Sequence, residues 1–149
     1  MRRPPEDLAV RIVILSPSTV FDDSLASDAE AGVAATVVGW ASGPGGADIE
    51  LPRPTGPLRR LASRVSASAI GRELVDVTPL APSRAYWRAM RDDPAVAAAV
   101  EQADVIVATE RDAAYAAWRW HDRLRRKGRH VAAVYGVPAA RAAIERLRA

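Results

Sequence analysis

Short runs of apolar, largely β-branched residues recur along the chain, each bounded by polar residues, glycine or proline. They cover residues 10–15, 33–40, 104–108 and 130–135. Their length and their lack of strict polar alternation are typical of strands that are covered on both faces of a sheet. The pattern therefore predicts at least four strands.

Two shorter segments also fit an extended backbone. Residues 73–78 are predicted as a third strand, with Asp76 interrupting the apolar run, and residues 49–51 as a brief extended piece. Prolines at 52, 54 and 57 then stop regular pairing because proline lacks a backbone N–H.

Between these strands, apolar residues recur at the spacing of amphipathic helices. The predicted helices lie at 21–31, from 58 to near 71, at 83–91, at 94–102, between 109 and 128, and from Pro138 onward. Asp93 is expected to cap one helix ahead of Pro94, and Thr109 and Asp112 have capping-box spacing. In the closing helix, Ile144 and Leu147 are predicted to face the core, and Arg141, Glu145 and Arg148 to face water.

The alternation of strands and helices predicts an α/β fold. We expect a Rossmann-like three-layer sandwich, with a mostly parallel sheet of about five strands and helices on both faces. Residues 1–9 are predicted to be an N-terminal arm, residues 10–149 a single domain, and residues 41–57 a flexible loop within it.

Composition narrows the possible chemistry. The sequence has 149 residues and no cysteine, which excludes disulfides and thiolate chemistry and argues against structural zinc. No hydrophobic signal-peptide segment follows the N-terminus, so we expect a cytoplasmic protein. The loop after the first strand lacks a glycine fingerprint, Gly43–Gly46 lacks the residues of a P-loop, and no nucleophile elbow occurs. We therefore expect no cofactor and no metal.

Polar residues follow the predicted strands, where parallel sheets bind their ligands. The candidate ligand-binding residues are Ser16, Ser18, Thr19, Thr109, Glu110, Arg111 and Tyr135. The alternative is that Thr109 and Asp112 only cap a helix and that the serines are ordinary turn residues. No catalytic residue can be named from this pattern.

Positive charge is concentrated late in the chain. Residues 119–129 contain six basic residues and one acidic residue, with Trp118 and Trp120 beside them. Basic residues are common at helix C-termini because of the helix dipole, and at least one of these tryptophans is expected in the core. The other hypotheses are an anionic membrane surface, which would make the protein peripheral at the inner face of the membrane, or an acidic partner; nucleic acid ranks last. The anionic-surface candidates are Arg119, Arg123, Arg125, Arg126, Lys127 and Arg129.

Taken together, Arg11–Ser16, Ala35–Trp40, Ala103–Thr109 and the helix that leads into His130–Tyr135 resemble the N-terminal domain of GT-B glycosyltransferases of the family-four type. The resemblance covers most of the chain. Where that family often has an Asp-x-His signature after the fifth strand, this sequence has Tyr135-Gly-Val-Pro138.

The resemblance implies an acceptor-side domain. In such enzymes the N-terminal domain contacts the acceptor, while a separate C-terminal domain binds the nucleotide-sugar. We therefore expect a domain that is not catalytic alone and that binds a glycan or lipid acceptor, or a second chain carrying the nucleotide-sugar domain. The alternatives are a stand-alone nucleotide- or metabolite-binding protein and a structural subunit.

Overall fold

The described residues form one parallel α/β sheet with helices against both faces. The computed structural model describes residues 9–20, 25, 32–41, 45–57, 60, 64, 67 and 81–149. The predicted α/β class, with a three-layer arrangement and a parallel sheet, is confirmed. The strand predicted at 73–78, the helix predicted at 21–31 and most of the helix predicted from 58 lie outside the described residues.

Five strands make up this sheet, in the order β3-β2-β1-β4-β5, and each neighbouring pair is parallel. Their bounds are β1 Val10–Leu15, β2 Val33–Trp40, β3 Ile49–Leu51, β4 Val105–Ala108 and β5 Ala132–Tyr135. The brief extended piece at 49–51 is therefore a paired strand. At the carboxyl edge Leu15 is aligned with both Val38 and Ala108, and Ala108 is aligned with Tyr135.

Four helices have full bounds within the described residues: α1 Pro82–Arg91, α2 Pro94–Gln102, α3 Arg111–Arg126 and α4 Val137–Arg148. Asp93 is the N-cap of α2, and its side chain accepts hydrogen bonds from the backbone N–H groups of Ala95 and Val96. The predicted cap is confirmed. Proline at N1 fits there because its position requires no backbone donor.

Two predictions about helices are wrong. Thr109 does not begin a capping box: the N-cap of α3 is Glu110, no side chain caps this helix end, and the Thr109 hydroxyl donates to Leu15 O. Leu147 does not face the core but is 54% exposed, whereas Ile144 is buried. Helical periodicity places Leu147 near the core-facing stripe, but it is the last residue but one of α4, at the end of the helix where residues 145–149 are all exposed.

The alternation of side chains along the strands divides the core in two. One core contains Val13 and Leu15 of β1 together with residues of α1, α2 and α3. The other contains Ile12 and Ile14 together with buried residues of α4. Because both faces of the central strand are covered, the runs at 10–15 and 105–108 are apolar throughout apart from Arg11.

None of the helices in the described part of the chain is long and apolar enough to cross a membrane.

Candidate functional site

The chain adds its first three strands toward one edge of the sheet and its last two toward the other edge, so the direction of strand addition changes between β1 and β4. The chain proceeds from β1 outward to β2 and β3, and then returns to the other side of β1 with β4 and β5. In open parallel sheets, ligands bind in the crevice at the carboxyl ends of the strands beside such a switch point. Here that crevice lies between the loop after β1 and the start of α3, and we call it the strand-end crevice.

Glu110 joins the two sides of this crevice. Its Oε1 accepts hydrogen bonds from the Ser18 hydroxyl at 2.6 Å, the Ser18 backbone N–H at 2.9 Å and the Ser16 hydroxyl at 3.2 Å. Ser16 is fully buried, while Ser18 and Glu110 are half-buried. Three donors therefore converge on one carboxylate oxygen and join the loop after β1 to the start of α3, and hydrogen bonds to a charged acceptor are stronger than neutral ones.

The loop after β1 is tightly constrained at Thr19. This residue is buried and has φ 56°, a left-handed conformation that is uncommon for a β-branched residue. The Thr19 hydroxyl donates to Ser18 O and accepts from the Gly45 backbone N–H at 3.1 Å. A Cβ added at Gly39 would lie 2.7 Å from Ser16 O and would clash with the Thr19 methyl group. Glycine at 39 therefore allows the loop to pass directly over β2.

Tyr86 of α1 lies beneath the crevice. It is fully buried, and its hydroxyl donates to Val38 O at 2.6 Å. Burial raises the pKa of the Tyr86 phenol, and the negative charge of Glu110 raises it further, while the Ser16 backbone amide acts in the opposite direction. The phenol is therefore a fixed, neutral donor that ties α1 to the end of β2.

The other predicted ligand residues also lie at the carboxyl edge of the sheet, on different strands and helices. Thr109 uses both its backbone N–H and its hydroxyl to bond Leu15 O, which extends the contact between β1 and β4. Arg111 is exposed at the first turn of α3. Tyr135 ends β5 beyond β4 and is 59% exposed. The crevice therefore brings together Ser16, Ser18, Thr19, Thr109 and Glu110, with Tyr135 one strand away.

The predicted anionic-surface residues lie around the C-terminal end of α3, and many contact other groups of the protein. Arg119 lies over the rings of Trp87 and Trp118, and Arg123 over that of Trp120. Further contacts include a bond from Arg123 to Arg91 O, ion pairs of Arg125 and Arg126 with Asp122, an ion pair of Lys127 with Glu101, and a bond from Arg129 to Ala103 O. Trp120 is buried and Trp118 is 54% exposed, so one tryptophan is in the core as expected. Binding of this surface to membranes or acidic partners stays a prediction.

Two residues that matter for the crevice were not predicted from the sequence. Tyr86 follows the helical pattern of α1 like any core aromatic, and nothing local indicates that its hydroxyl lies near the loop after β1. Gly39 lies within the apolar run of β2, one residue before its end, and nothing local indicates that a loop packs against it. Both roles depend on which elements the fold brings together.

Among the described residues, no group of three or more histidine and acidic side chains is arranged to hold a metal ion. No family model, curated protein or solved structure matches this chain. The resemblance noted in the sequence is therefore supported at the level of a parallel, Rossmann-like α/β fold.

Proposed function

We infer that this chain is the acceptor-side domain of a glycosyltransferase-like assembly, and that its strand-end crevice binds a neutral, hydroxyl-rich ligand such as the sugar part of a glycan or glycolipid acceptor. The observation that carries this proposal is the Glu110 carboxylate, held at the switch point by three donors from the β1 loop. A carboxylate flanked by serine hydroxyls offers both an acceptor and adjustable donors to a sugar hydroxyl.

The charge of the crevice disfavours a phosphate ligand. Phosphate sites in parallel α/β proteins use backbone N–H groups at strand-to-helix loops to hold the anion. Here the Ser18 N–H is already bonded to Glu110, and the carboxylate adds negative charge beside the position that a phosphate would take. A neutral polyol meets no such repulsion, which favours a sugar acceptor over the alternative of a nucleotide-binding protein.

The same argument explains why the domain would not be catalytic alone. A nucleotide-sugar donor carries a pyrophosphate, which this crevice disfavours. Donor binding then falls to a second chain with a nucleotide-sugar-binding domain, as the resemblance to GT-B enzymes implies.

A titration followed by amide chemical shifts tests the proposal directly. Methyl glycosides and short oligosaccharides should shift the amides of Ser16, Ser18 and Thr19 and of residues 109–111, and a nucleoside diphosphate should not. Glu110→Gln should weaken sugar binding by about tenfold, since it replaces a charged acceptor by a neutral one. Glu101→Gln is the matched control, because Glu101 pairs with Lys127 on the surface and lies outside the crevice.

Two results would overturn this function. Binding of the nucleoside diphosphate at residues 16–19, without sugar binding, would identify a nucleotide site. Sugar shifts that are unchanged in both glutamine variants would mean that Glu110 only fastens the β1 loop.

A further inference from the structure

The two edges of the described sheet differ in their protection against pairing with another strand. On one edge, β3 carries the exposed Glu50 and is followed by Pro52 and Pro54, features that natural proteins use to prevent edge-to-edge association. On the other edge, β5 reads Ala132-Ala-Val-Tyr135 and has no charged residue or proline. Its residues are mostly exposed.

The backbone of β5 has hydrogen-bonding groups on its outer side. Ala132 N–H donates to Asp104 O and Gly136 N–H donates to Ala108 O, so these residues face β4. Because residues alternate in direction along a strand, Ala133 and Tyr135 turn their N–H and C=O groups away from β4. These groups are free to pair with another strand, since β5 is the outermost strand on this side of the sheet formed by the described residues.

An apolar groove runs beside this edge, between β5 and α3. It has a volume of about 230 Å³, and its walls include Ala114, Ala117, Trp118, Ala133 and Tyr135. Trp118 and Tyr135 are two of the four large apolar side chains that are exposed in the described part of the chain. His121 also lines the groove, and its Nδ1 donates to Val131 O at 2.8 Å, which fixes α3 against the start of β5.

The charges at the two ends of α3 favour one orientation of a second strand at this edge. The stretch from Arg119 to Arg129 carries a formal excess of five positive charges (six basic, one acidic), whereas residues 110–112 carry a net charge of −1 (two acidic, one basic). In a pair of identical chains, antiparallel β5 strands would set the basic end of one α3 opposite the acidic start of the other. The two basic ends would then be separated by the length of α3, about 24 Å for its 16 residues, which is well beyond the screening distance in physiological salt.

We propose that two copies of this chain associate through β5, with the strands antiparallel and the Trp118–Tyr135 groove of each copy closed by the other. A two-fold axis makes this contact self-complementary, because both copies use the same residues. Antiparallel pairing lets Ala133 and Tyr135 bond across the axis and joins the two sheets into one. The proposal does not depend on the proposed sugar binding.

Sedimentation velocity over a concentration series tests the association. The unmodified chain should form a dimer, and Ala133→Lys should raise the dimer dissociation constant by about tenfold or more because it places a charge on the pairing edge. Trp118→Ala should weaken the dimer through the groove. Ala98→Lys is the matched control, since it makes the same change at an exposed alanine of α2 and should leave association unchanged.

Spin labels distinguish the antiparallel arrangement from others. The chain has no cysteine, so Arg111→Cys and Arg126→Cys each provide one labelling site, and the two sites lie at nearly equal distances along α3 from Trp118. A mixture of the two labelled chains should give a shorter distance than either chain gives with itself. The proposal would be overturned if the chain were a monomer at every concentration or if Ala133→Lys left the dimer intact. Shorter distances between like labels than between unlike labels would also overturn it. Circular dichroism of each variant shows that it is folded.

Discussion

Ser18 and Glu110 are 92 positions apart in the sequence, and the Ser18 hydroxyl lies 2.6 Å from the Glu110 carboxylate. This contact joins the loop after the central strand to the residue at the N-cap position of α3. It therefore links the two elements on either side of the switch point, and it sets both the shape and the charge of the strand-end crevice.

Removing the Ser18 hydroxyl should lower the free energy of unfolding. We expect Ser18→Ala to cost about 1.5 kcal/mol, the lower range for a hydrogen bond to a charged acceptor, because the backbone N–H of residue 18 can still donate to Glu110. Urea denaturation measures the change. Ser83→Ala on the first turn of α1, where no side chain caps the helix, serves as the control and should have a much smaller effect. Equal effects of the two variants would contradict the importance of this contact.

Neighbouring aspartates before α2 should differ in their contributions to stability. Asp93 accepts two backbone N–H groups of α2, so Asp93→Ala should cost about 1 kcal/mol. Asp92 only pairs with Arg91 on the surface, where its side chain is 73% exposed, and Asp92→Ala should be close to neutral. Thermal unfolding of the two variants gives a direct comparison. A larger loss for Asp92→Ala would show that the assigned cap is wrong.

Gly39→Ala should disturb the β1 loop. The added methyl group would clash with Thr19 and lie 2.7 Å from Ser16 O, and overpacking of this kind typically costs about 1 to 3 kcal/mol. The same clash should weaken the bonds of Ser16 and Ser18 to Glu110, which amide chemical shifts of the loop would report. Ala34→Gly on the same strand, at an exposed position, is a control for the general effect of glycine and alanine in β2. Unchanged loop shifts in Gly39→Ala would contradict the close packing.

Alkaline pH should destabilise the protein through Tyr86. Its pKa is raised in the folded state, so the unfolded chain loses the phenol proton first, from its ordinary value of 10.0 upward. The stability that the buried neutral phenol contributes is complete below that pH and is lost as the pH rises above it. Urea denaturation between pH 9 and about 11 should show this fall.

Tyr86→Phe should reduce the loss of unfolding free energy at alkaline pH, because phenylalanine has no proton to lose. It also removes the hydrogen bond to Val38 O. Tyr135→Phe is the matched control, because Tyr135 is 59% exposed on β5, and it should retain the fall. An identical pH dependence in both variants would assign the effect to other groups.

Much of the fold could be predicted from local pattern. The run Val10–Leu15 and the run Val33–Trp40 have the observed strand bounds, because a strand covered on both faces is apolar over most of its length. Asp93-Pro94 likewise predicts the start of α2, since capping involves only residues within one turn. The candidate residues Ser16, Ser18 and Glu110 were predicted from their positions after strands, but their mutual contact was not.

What the sequence alone determined is most of the strands and helices of the described part of the chain, the parallel α/β class, the absence of cysteine chemistry and the polar residues at the strand ends. These follow from periodicity, side-chain type and chain connectivity, which are local properties. The tertiary structure decided which strand ends lie together, that Thr109 bonds β1 instead of capping α3, that Tyr86 supports the crevice and that β5 lies at one edge of the described sheet. Each of these depends on contacts between residues distant in sequence, and such contacts are specified by the packing of the whole sheet.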